Sequence, residues 1–312
     1  MIAVPAGVET RYPLARLTTI RTGGFADFFA RAGFAERLVE LLDWARAEGV
    51  EVGVVGSGSN LLVADEGFRG LVVKLTDQLA TIERDGNRLV CGAGARLPQA
   101  AAVAARAGLS GLEFGVNIPG TVGGAVKMNA SAYGGDLGRV LEWVTVAAPG
   151  RVERRTPAEL GFGYRRSALA PDEIVARASF RLDPADPAAV KRTLSTLRAR
   201  RKAAQPSGIK TFGSTFKNPD KGRTAGHLLE GAGCRGLAVG GARFSPSHAN
   251  FIENMGDATS ADVLALMAEG RRRVRKHFGV DLEAEVQVLG EAAAASADAD
   301  ADANPDPDGE RG

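Results

Sequence analysis

The chain has 312 residues, which is long for a single hydrophobic core, so we expect two or three packed domains. Its apolar content of 45% and charged content of 24% are those of a globular protein, and Cys91 and Cys234 lack the spacing of a metal site or a disulfide framework. The net charge of +2 combines −6 in residues 291–312 with +8 in the rest of the chain. A moderately basic protein of this kind is suited to a phosphate-bearing ligand. It lacks the concentrated basic patch that is typical of a nucleic-acid binder.

The N-terminal residues 1–24 contain no uninterrupted apolar segment of signal-peptide length. No apolar run approaches the ~20 residues that a membrane-spanning helix needs. The sequence therefore predicts a cytoplasmic protein without a membrane partner. The basic run at 269–279 follows helical spacing, and we interpret it as a solvated helix face.

The first part of the chain predicts a strand-rich region with a few helices, bounded by glycine and proline. In chain order the predicted elements are a helix (34–48), strands (51–56, 61–63 and 70–75), a hairpin (79–92, turning at Asp85-Gly86), an alanine-rich helix (96–108), a hairpin (140–156, turning at Pro149-Gly150) and a strand (173–182).

The second part predicts a separate, smaller α+β unit at about 200–290. Its elements are a connecting helix (186–203), a short strand within 211–219, helices (226–233 and 260–279) and strands (237–244, 249–254 and 282–290). Residues 291–312 have no apolar periodicity and predict a disordered acidic tail.

Two glycine-rich loops bear on the ligand. The first, GSGSN at 56–60, lies between predicted strands, and it fails the dinucleotide-fold pattern because Leu61 stands at the third glycine position. Taken alone it is better explained as a simple turn, although its N–H groups could bind an anion. The second, within 118–138, has side chains small enough to let backbone lie against a flat ligand, and Thr121 predicts a helix whose first N–H groups face a pyrophosphate. Together they predict a large cofactor with a diphosphate.

Ser214 follows Gly213 in the segment TFGSTFKNP, where it looks like an accessible nucleophile. A nucleophilic serine needs an adjacent base, and nothing nearby suits that role. Near the C-terminus, alternation in LEAEV places Glu283 and Glu285 on the same side of a predicted strand, so alternation alone does not choose between them.

Seven blocks in a fixed order carry a family resemblance over about residues 15–290. They are LTTIRTGG (17–24), VVGSGSNLLV (54–63), IPGTVGGAVKMNASAYGG (118–135), YRRS (164–167), GSTFKNP (213–219), SHANFIEN (247–254) and LEAEV (282–286). The chain resembles the UDP-N-acetylenolpyruvoylglucosamine reductases. The resemblance implies an α+β fold with a two-lobed FAD-binding region of the vanillyl-alcohol-oxidase type at 1–190, with lobes of about 1–76 and 77–190. A smaller α+β substrate-binding domain would follow at 200–290.

The resemblance also implies the chemistry. NADPH would reduce FAD, and hydride would then pass to UDP-N-acetylglucosamine enolpyruvate, giving UDP-N-acetylmuramate for peptidoglycan. The implied partners are these small molecules, with no nucleic acid, no metal and no second subunit. His227, His248 and His277 all lie beyond the FAD region, so we expect the flavin to be bound without a covalent link.

Particular residues match the motifs of the family. The implied catalytic residues are Arg165, which would stabilise charge at the substrate carboxylate, Glu285, and Ser214 as proton donor. The implied FAD contacts are Arg21, Thr22, Gly56, Ser57, Gly58, Ser59, Asn60, Pro119, Gly120, Thr121, Gly123, Gly124 and Ala125. The implied substrate contacts are Tyr164, Lys217, Asn218, His248 and Asn250.

Two features depart from the family pattern. Only 49 positions separate Arg165 from Ser214, which matches the shorter subclass without an additional substrate-covering segment. Ser247 stands where many relatives have a lysine. Two other interpretations remain open: another flavin oxidoreductase on this scaffold, such as an alcohol or sugar oxidase, and a nucleotide-binding relative that has lost catalysis.

Overall fold

The computed structural model describes residues 3–204, 206, 208–220 and 222–291. Apart from Glu291, the predicted acidic tail lies outside the described residues. The strands are β1 (Glu9–Pro13), β2 (Phe25–Ala32), β3 (Glu51–Val54), β4 (Leu61–Val63), β5 (Phe68–Leu75), β6 (Ile82–Asp85), β7 (Arg88–Gly92), β8 (Leu109–Ser110), β9 (Ser131–Ala132), β10 (Gly135–Asp136), β11 (Leu141–Ala148), β12 (Arg151–Arg155), β13 (Ile174–Arg181), β14 (Asp183–Pro184), β15 (Ala238–Val239), β16 (Ala242–Phe244), β17 (Ile252–Asn254) and β18 (Gln287–Leu289). The helices are α1 (Ala35–Ala47), α2 (Leu97–Arg106), α3 (Val122–Lys127), α4 (Pro187–Ala204), α5 (Ala225–Gly231) and α6 (Ser260–Phe278).

Lobe 1 contains a four-stranded sheet in the order β1-β2-β5-β3. Strands β2, β5 and β3 are parallel, and β1 pairs antiparallel with β2 at the edge. Helix α1 buries Leu38, Leu41, Leu42 and Ala45, the face that its helical spacing predicts. Gly49 follows with φ +65°, which ends the helix at the predicted place.

Lobe 2 is built on an antiparallel sheet in the order β12-β11-β13-β7-β6. Its second hairpin turns at Pro149-Gly150, as predicted, because Ala148 pairs with Arg151. In the first hairpin Asp85 pairs with Arg88, so the two loop residues are Gly86 and Asn87 and the predicted turn is displaced by one position. One hydrophobic core joins α1 and β5 of lobe 1 to the sheet and helices of lobe 2.

The third unit is built on a hydrophobic core formed by α5, α6 and the small sheet β15-β16-β17, and Ile20 and Leu62 of lobe 1 are buried in the same core. Helix α6 begins with a capping box in which Thr259 and Asp262 bond each other's backbone N–H groups. It ends at Gly279 in the left-handed conformation. Its first N–H groups, those of Ser260 and Ala261, both donate to the Asp65 carboxylate at 2.8 Å, which attaches this unit to lobe 1.

The C-terminal segment does not form the single strand predicted at 282–290. Leu282 and Val286 are buried in the core of the third unit, and Ala284 makes one bridge to Phe216. Only β18 is a strand, and it pairs in parallel with β4 of lobe 1. The segment therefore begins in one unit and ends in another, which apolar alternation alone cannot indicate.

The predicted strand within 211–219 is also interrupted. Ser214 and Phe216 make isolated bridges to Phe251 and Ala284 rather than a continuous ladder. The reason is that the Asn250 side chain takes both backbone groups of Phe216: its Oδ1 accepts from the N–H and its Nδ2 donates to the carbonyl, each at 2.9 Å. Among the helices of the described ranges, none is both long and apolar enough to cross a bilayer.

Candidate active site

Arg165 and Glu285 lie 120 positions apart in sequence and form an ion pair in the structure. Arg165 Nε donates to Glu285 Oε1 at 2.6 Å. The side chains keep only 19% and 16% of their exposure, so the pair is mostly removed from water. At such a site an ion pair interacts more strongly than it would on the surface.

The Arg165 side chain is held at three of its nitrogen atoms. Nη1 donates to Ser131 Oγ at 2.9 Å, and Nη2 donates to the Ser131 carbonyl at 3.3 Å. Since a guanidinium has five N–H donors, one donor on each terminal nitrogen remains for a ligand. The backbone at Arg165 has φ +56°, a conformation that costs a non-glycine residue about 1–2 kcal/mol, so the rest of its loop must hold it.

Glu285 is fixed through its backbone. Its N–H donates to the Thr215 carbonyl at 2.8 Å, and its own carbonyl accepts from Asn60 Nδ2 at 3.1 Å. Burial raises the pKa of Glu285, while Arg165 and then Lys217 act in the opposite direction. The carboxyl group therefore keeps its proton to a higher pH than an ordinary glutamate.

Ser214 lies beside the first glycine loop (residues 56–60). Gly213 has φ +86°, and a Cβ added there would stand 3.6 Å from the Ser59 carbonyl. The bridge from Ser214 to Phe251 and the bond from the Thr215 N–H to the Asn250 carbonyl at 2.8 Å fix the backbone on both sides. Ser214 is half-buried, and no described residue hydrogen-bonds its hydroxyl. The hydroxyl is thus placed by backbone contacts alone.

Of the predicted substrate contacts, one lies beside Arg165 and two lie in the segment that follows Ser214. Tyr164 is 54% exposed next to Arg165, whose guanidinium carbon lies 5.3 Å from the centre of the tyrosine ring. Lys217 is mostly buried and pairs with Glu283, whereas Asn218 Oδ1 accepts from the Ala225 N–H at 3.0 Å at the start of α5.

His248 and Asn250 contact each other within the third unit. His248 Nδ1 faces the Asn250 N–H at 3.3 Å, and burial lowers the pKa of this histidine. Asn250 is only 4% exposed, and both ends of its amide bond Phe216. The Asn250 side chain therefore fixes the backbone next to Ser214, and its direct contact with substrate stays a prediction.

The two glycine loops meet. A Cβ added to Gly56 would lie 2.5 Å from Thr121 Oγ1, so the first glycine loop closes against the second (residues 119–125). No described residue accepts a hydrogen bond from the backbone N–H groups of residues 56–60. Gly58 has φ +65°, and its Cβ would lie 1.9 Å from the Leu17 carbonyl, so only glycine fits there. The first glycine loop thus offers a row of free donors suited to an anion.

One expectation for the second glycine loop is wrong. Helix α3 does begin after Thr121, whose hydroxyl accepts from the Gly124 N–H. However, the Val122 and Gly123 N–H groups donate to the Ala95 and Ala93 carbonyls, each at 2.8 Å, and do not face a pyrophosphate. The open positions in this loop are Gly120 and Gly124, where an added Cβ would meet nothing closer than 3.5 Å.

The remaining predicted cofactor residues are placed as follows. Arg21 has φ +67° and donates to the Arg16 carbonyl at 2.7 Å, and the Thr22 hydroxyl accepts from Ser260 at 3.0 Å in a buried contact with the third unit. Ser57 and Ser59 are half-buried, Pro119 is exposed and Ala125 belongs to the main core. Arg166, next to Arg165, is exposed.

Sequence reasoning missed three residues that hold the Arg165 loop (residues 160–170). Lys127 Nζ donates to the Leu169 carbonyl at 2.7 Å, Asn129 Nδ2 donates to the Gly163 carbonyl at 3.2 Å, and Ser131 bonds Arg165 itself. The small-residue run containing them indicated only close backbone approach. The asparagine in this run was the one sequence signal for a special backbone conformation, because asparagine tolerates positive φ better than most residues. In the structure Asn129 does have φ +40°.

Comparisons with families and with individual proteins agree with each other. Residues 26–154 match a family described as an FAD binding domain, and residues 205–289 match the C-terminal domain of UDP-N-acetylenolpyruvoylglucosamine reductase. The chain is 46% identical to UDP-N-acetylenolpyruvoylglucosamine reductase 2 of Symbiobacterium thermophilum, over 93% of this chain and 94% of that protein. It is 44% identical to the reductase of Rubrobacter xylanophilus, over 89% of this chain and 94% of that protein.

A solved structure agrees with these sequence matches. The crystal structure of the UDP-N-acetylenolpyruvylglucosamine reductase from Thermus caldophilus superposes with a TM-score of 0.79 at 41% identity. The match covers 90% of this chain and 98% of that one.

Proposed function

Because this chain belongs to the UDP-N-acetylenolpyruvoylglucosamine reductase family, we propose that it reduces UDP-N-acetylglucosamine enolpyruvate to UDP-N-acetylmuramate for peptidoglycan synthesis. The observation that carries the proposal is the convergence of Arg165, Glu285 and Ser214 around the first glycine loop. Asn60 of this loop bonds the Glu285 carbonyl, and Ser59 lies beside Gly213. A ligand held by the loop would therefore lie next to all the groups that the reaction needs.

The residues of the two glycine loops fit FAD. The free N–H groups of residues 56–60 suit its diphosphate, and the open positions Gly120 and Gly124 leave room for it to lie against backbone. When bound, FAD would accept hydride from NADPH and supply it to the methylene carbon of the enolpyruvyl group. The three histidines lie outside these loops, which supports binding without a covalent link.

Arg165 is suited to the substrate carboxylate. Negative charge develops at the carbon next to this carboxylate when hydride arrives, and it spreads onto the carboxylate oxygens. The two N–H donors of Arg165 that remain free can bond those oxygens, and the half-buried position strengthens the bonds. Ser131 and Glu285 fix the guanidinium in advance, so little reorganisation is needed during the reaction.

Glu285 would support this arrangement in its protonated form. Two carboxylates close to each other cannot both stay ionised easily, and burial already raises the pKa of Glu285. We propose that its proton is shared with the substrate carboxylate, as in other carboxyl groups kept neutral by their surroundings.

Ser214 would donate the proton that completes the reduction. Donation to a carbanion needs reach and a site shielded from water, not an activating base. Its hydroxyl has no partner among the described residues and is half-buried beside the first glycine loop. We propose that Tyr164, Lys217, Asn218 and His248 line the nucleotide-sugar site, and that Asn250 acts through Phe216.

All three proposed catalytic groups come from one chain, which supports activity as a monomer. Both substrates are small molecules, and we place the reaction in the cytoplasm. Size-exclusion chromatography with light scattering tests the monomer, and fractionation of the producing cells tests the location.

One spectroscopic experiment tests the function. Purified protein should show a flavin absorbance spectrum that bleaches when NADPH is added without oxygen. The spectrum should return when UDP-N-acetylglucosamine enolpyruvate is added. Oxygen consumption with alcohols or sugars and no response to the enolpyruvyl substrate would indicate an oxidase instead. A spectrum that neither donor nor acceptor changes would indicate a relative without catalysis.

A further inference from the structure

The Arg165 loop is attached to one short neighbouring segment at alternate residues. Lys127, Asn129 and Ser131 each contact it, at Leu169, Gly163 and Arg165 respectively. Ser167 adds a bond in the other direction, from its hydroxyl to the Lys127 carbonyl at 2.9 Å. We call residues 127–131 the bracing segment.

The two ends of the Arg165 loop are anchored in the protein and its centre is less so. Leu160 and Leu169 are buried in the largest hydrophobic core, and the Ala168 N–H donates to the Leu160 carbonyl. Between these ends Tyr164 and Arg166 are exposed on either side of Arg165, and Gly163 pairs with Arg166. Since Arg165 itself has φ +56°, the isolated loop would favour other conformations. The contacts from the bracing segment, together with the ion pair to Glu285, therefore hold the guanidinium in place.

The bracing segment is in turn fixed to the cofactor-contacting part of lobe 2. It continues from α3, whose Val122 and Gly123 N–H groups are tied to Ala95 and Ala93. Thr121, just before α3, touches Gly56 of the first glycine loop. A continuous chain of bonded residues thus runs from the glycine loops to Arg165.

From this geometry we infer that Lys127, Asn129 and Ser131 are positioning residues, which hold Arg165 at a fixed place relative to the flavin loops. They act on the transfer from flavin to substrate and leave flavin reduction unaffected, because only the substrate step uses Arg165. The inference rests on the proposed function of Arg165, but part of its test does not depend on catalysis.

The first test separates the two half-reactions in Asn129→Asp and Ser131→Ala. Asn129→Asp keeps the acceptor for the Gly138 N–H and loses the donor to Gly163. We expect flavin content and NADPH-driven bleaching at wild-type levels, and substrate-driven reoxidation slower by about tenfold. Each variant loses one hydrogen bond, to the Gly163 carbonyl in Asn129→Asp and to the Arg165 guanidinium in Ser131→Ala. Ser131→Thr, which keeps the hydroxyl, should recover most of the rate.

Asn254→Asp is the matched control. Asn254 Nδ2 also donates to a carbonyl, that of Ile20 at 2.9 Å, and its Oδ1 accepts from the Gly256 N–H at 2.8 Å; neither partner belongs to the Arg165 loop. This variant should lose stability without changing the ratio of the two half-reaction rates. If Asn129→Asp behaves in the same way, or slows both half-reactions equally, the positioning role is wrong.

The second test is hydrogen exchange in the flavin-loaded protein without substrate. The Ala168 N–H, bonded to the Leu160 carbonyl at 2.7 Å, reports on the Arg165 loop. Its exchange should be about tenfold faster in Asn129→Asp than in wild type, since loss of one bond loosens the loop. Unchanged exchange would overturn the inference. A wild type that does not respond to the enolpyruvyl substrate would refute the proposed function instead.

Discussion

At the scale of single residues, Glu285 makes the stability of the protein depend on pH. Burial raises the pKa of Glu285 in the folded state, so the unfolded chain releases this proton at lower pH than the folded protein does. The free energy of unfolding therefore falls as pH rises from about 4.3, the ordinary glutamate value, through the raised folded value. Glu285→Gln lacks this dependence. Between pH ~4 and pH ~7, calorimetry should show the Tm of Glu285→Gln rising relative to that of the wild type. A Tm difference between the two proteins that stays constant with pH would contradict the raised pKa of Glu285.

Arg165 and Glu285 also give a kinetic prediction. Arg165→Met should leave bleaching by NADPH near normal and slow reoxidation by substrate by about 10²–10³-fold, because charge on the substrate carboxylate is no longer stabilised. Glu285→Gln, which keeps the size of the side chain, should show the same asymmetry. Stopped-flow absorbance measures each half-reaction separately. Arg166→Met is the control, since Arg166 is exposed. A slow first half-reaction in Arg165→Met would indicate a structural role.

Ser214 can be tested with two substitutions. Ser214→Ala should bind flavin and accept electrons from NADPH normally, and reoxidation should slow by about 10²–10⁴-fold, the usual loss of a general acid. Ser214→Cys retains a donor and should recover part of the rate. Mass spectrometry of the wild-type protein during turnover tests the alternative. A covalent substrate adduct on Ser214 would show that this serine is a nucleophile and not a proton donor.

At the scale of elements, two substitutions in the second glycine loop should affect cofactor binding and folding separately. Gly124→Leu places its side chain in open space, so we expect folded protein that lacks flavin. Gly123→Ala instead brings a Cβ to 2.9 Å from the Ala93 Cβ, within the protein. This variant should lower the Tm while flavin is retained in the folded fraction. Absorbance and circular dichroism of the two variants measure both effects. Full flavin content in Gly124→Leu would contradict the assignment of this loop.

Most elements could be predicted from the sequence, and the exceptions share a physical cause. Helix α1 and the hairpin at Pro149-Gly150 follow from spacing and turn residues that act locally. The pairing of β18 with β4 and the bonds of Asn250 to Phe216 join segments far apart in sequence, for which local patterns carry no information. The same holds for the site: the motifs identify Arg165 and Glu285, while the residues that hold Arg165 become visible only in the fold.

At the scale of the whole molecule, β18 couples the third unit to lobe 1. A chain ending at Val286 loses β18 but keeps Leu282 and Val286, which belong to the core of the third unit. We expect calorimetry of this variant to show a lower Tm than the full chain, because the β18–β4 pairing is lost while the bonds from Ser260 and Ala261 to Asp65 remain. A chain ending at Gly290 removes only the acidic tail and should match the full chain. An unchanged Tm in the shorter variant would show that β18 does not strengthen the attachment of the third unit to lobe 1.

The position of β18 also constrains when the protein can become active during its synthesis. Asn60 and Glu285 are bonded across 225 positions of sequence, and the first glycine loop lies between β3 and β4, whose partner β18 comes last. During synthesis β4 is made more than 200 residues before β18, so in the nascent chain β4 lacks its parallel partner and Asn60 lacks the Glu285 carbonyl. We therefore expect nascent chains stalled before Glu285 to bind no flavin, and yellow stalled complexes would refute this.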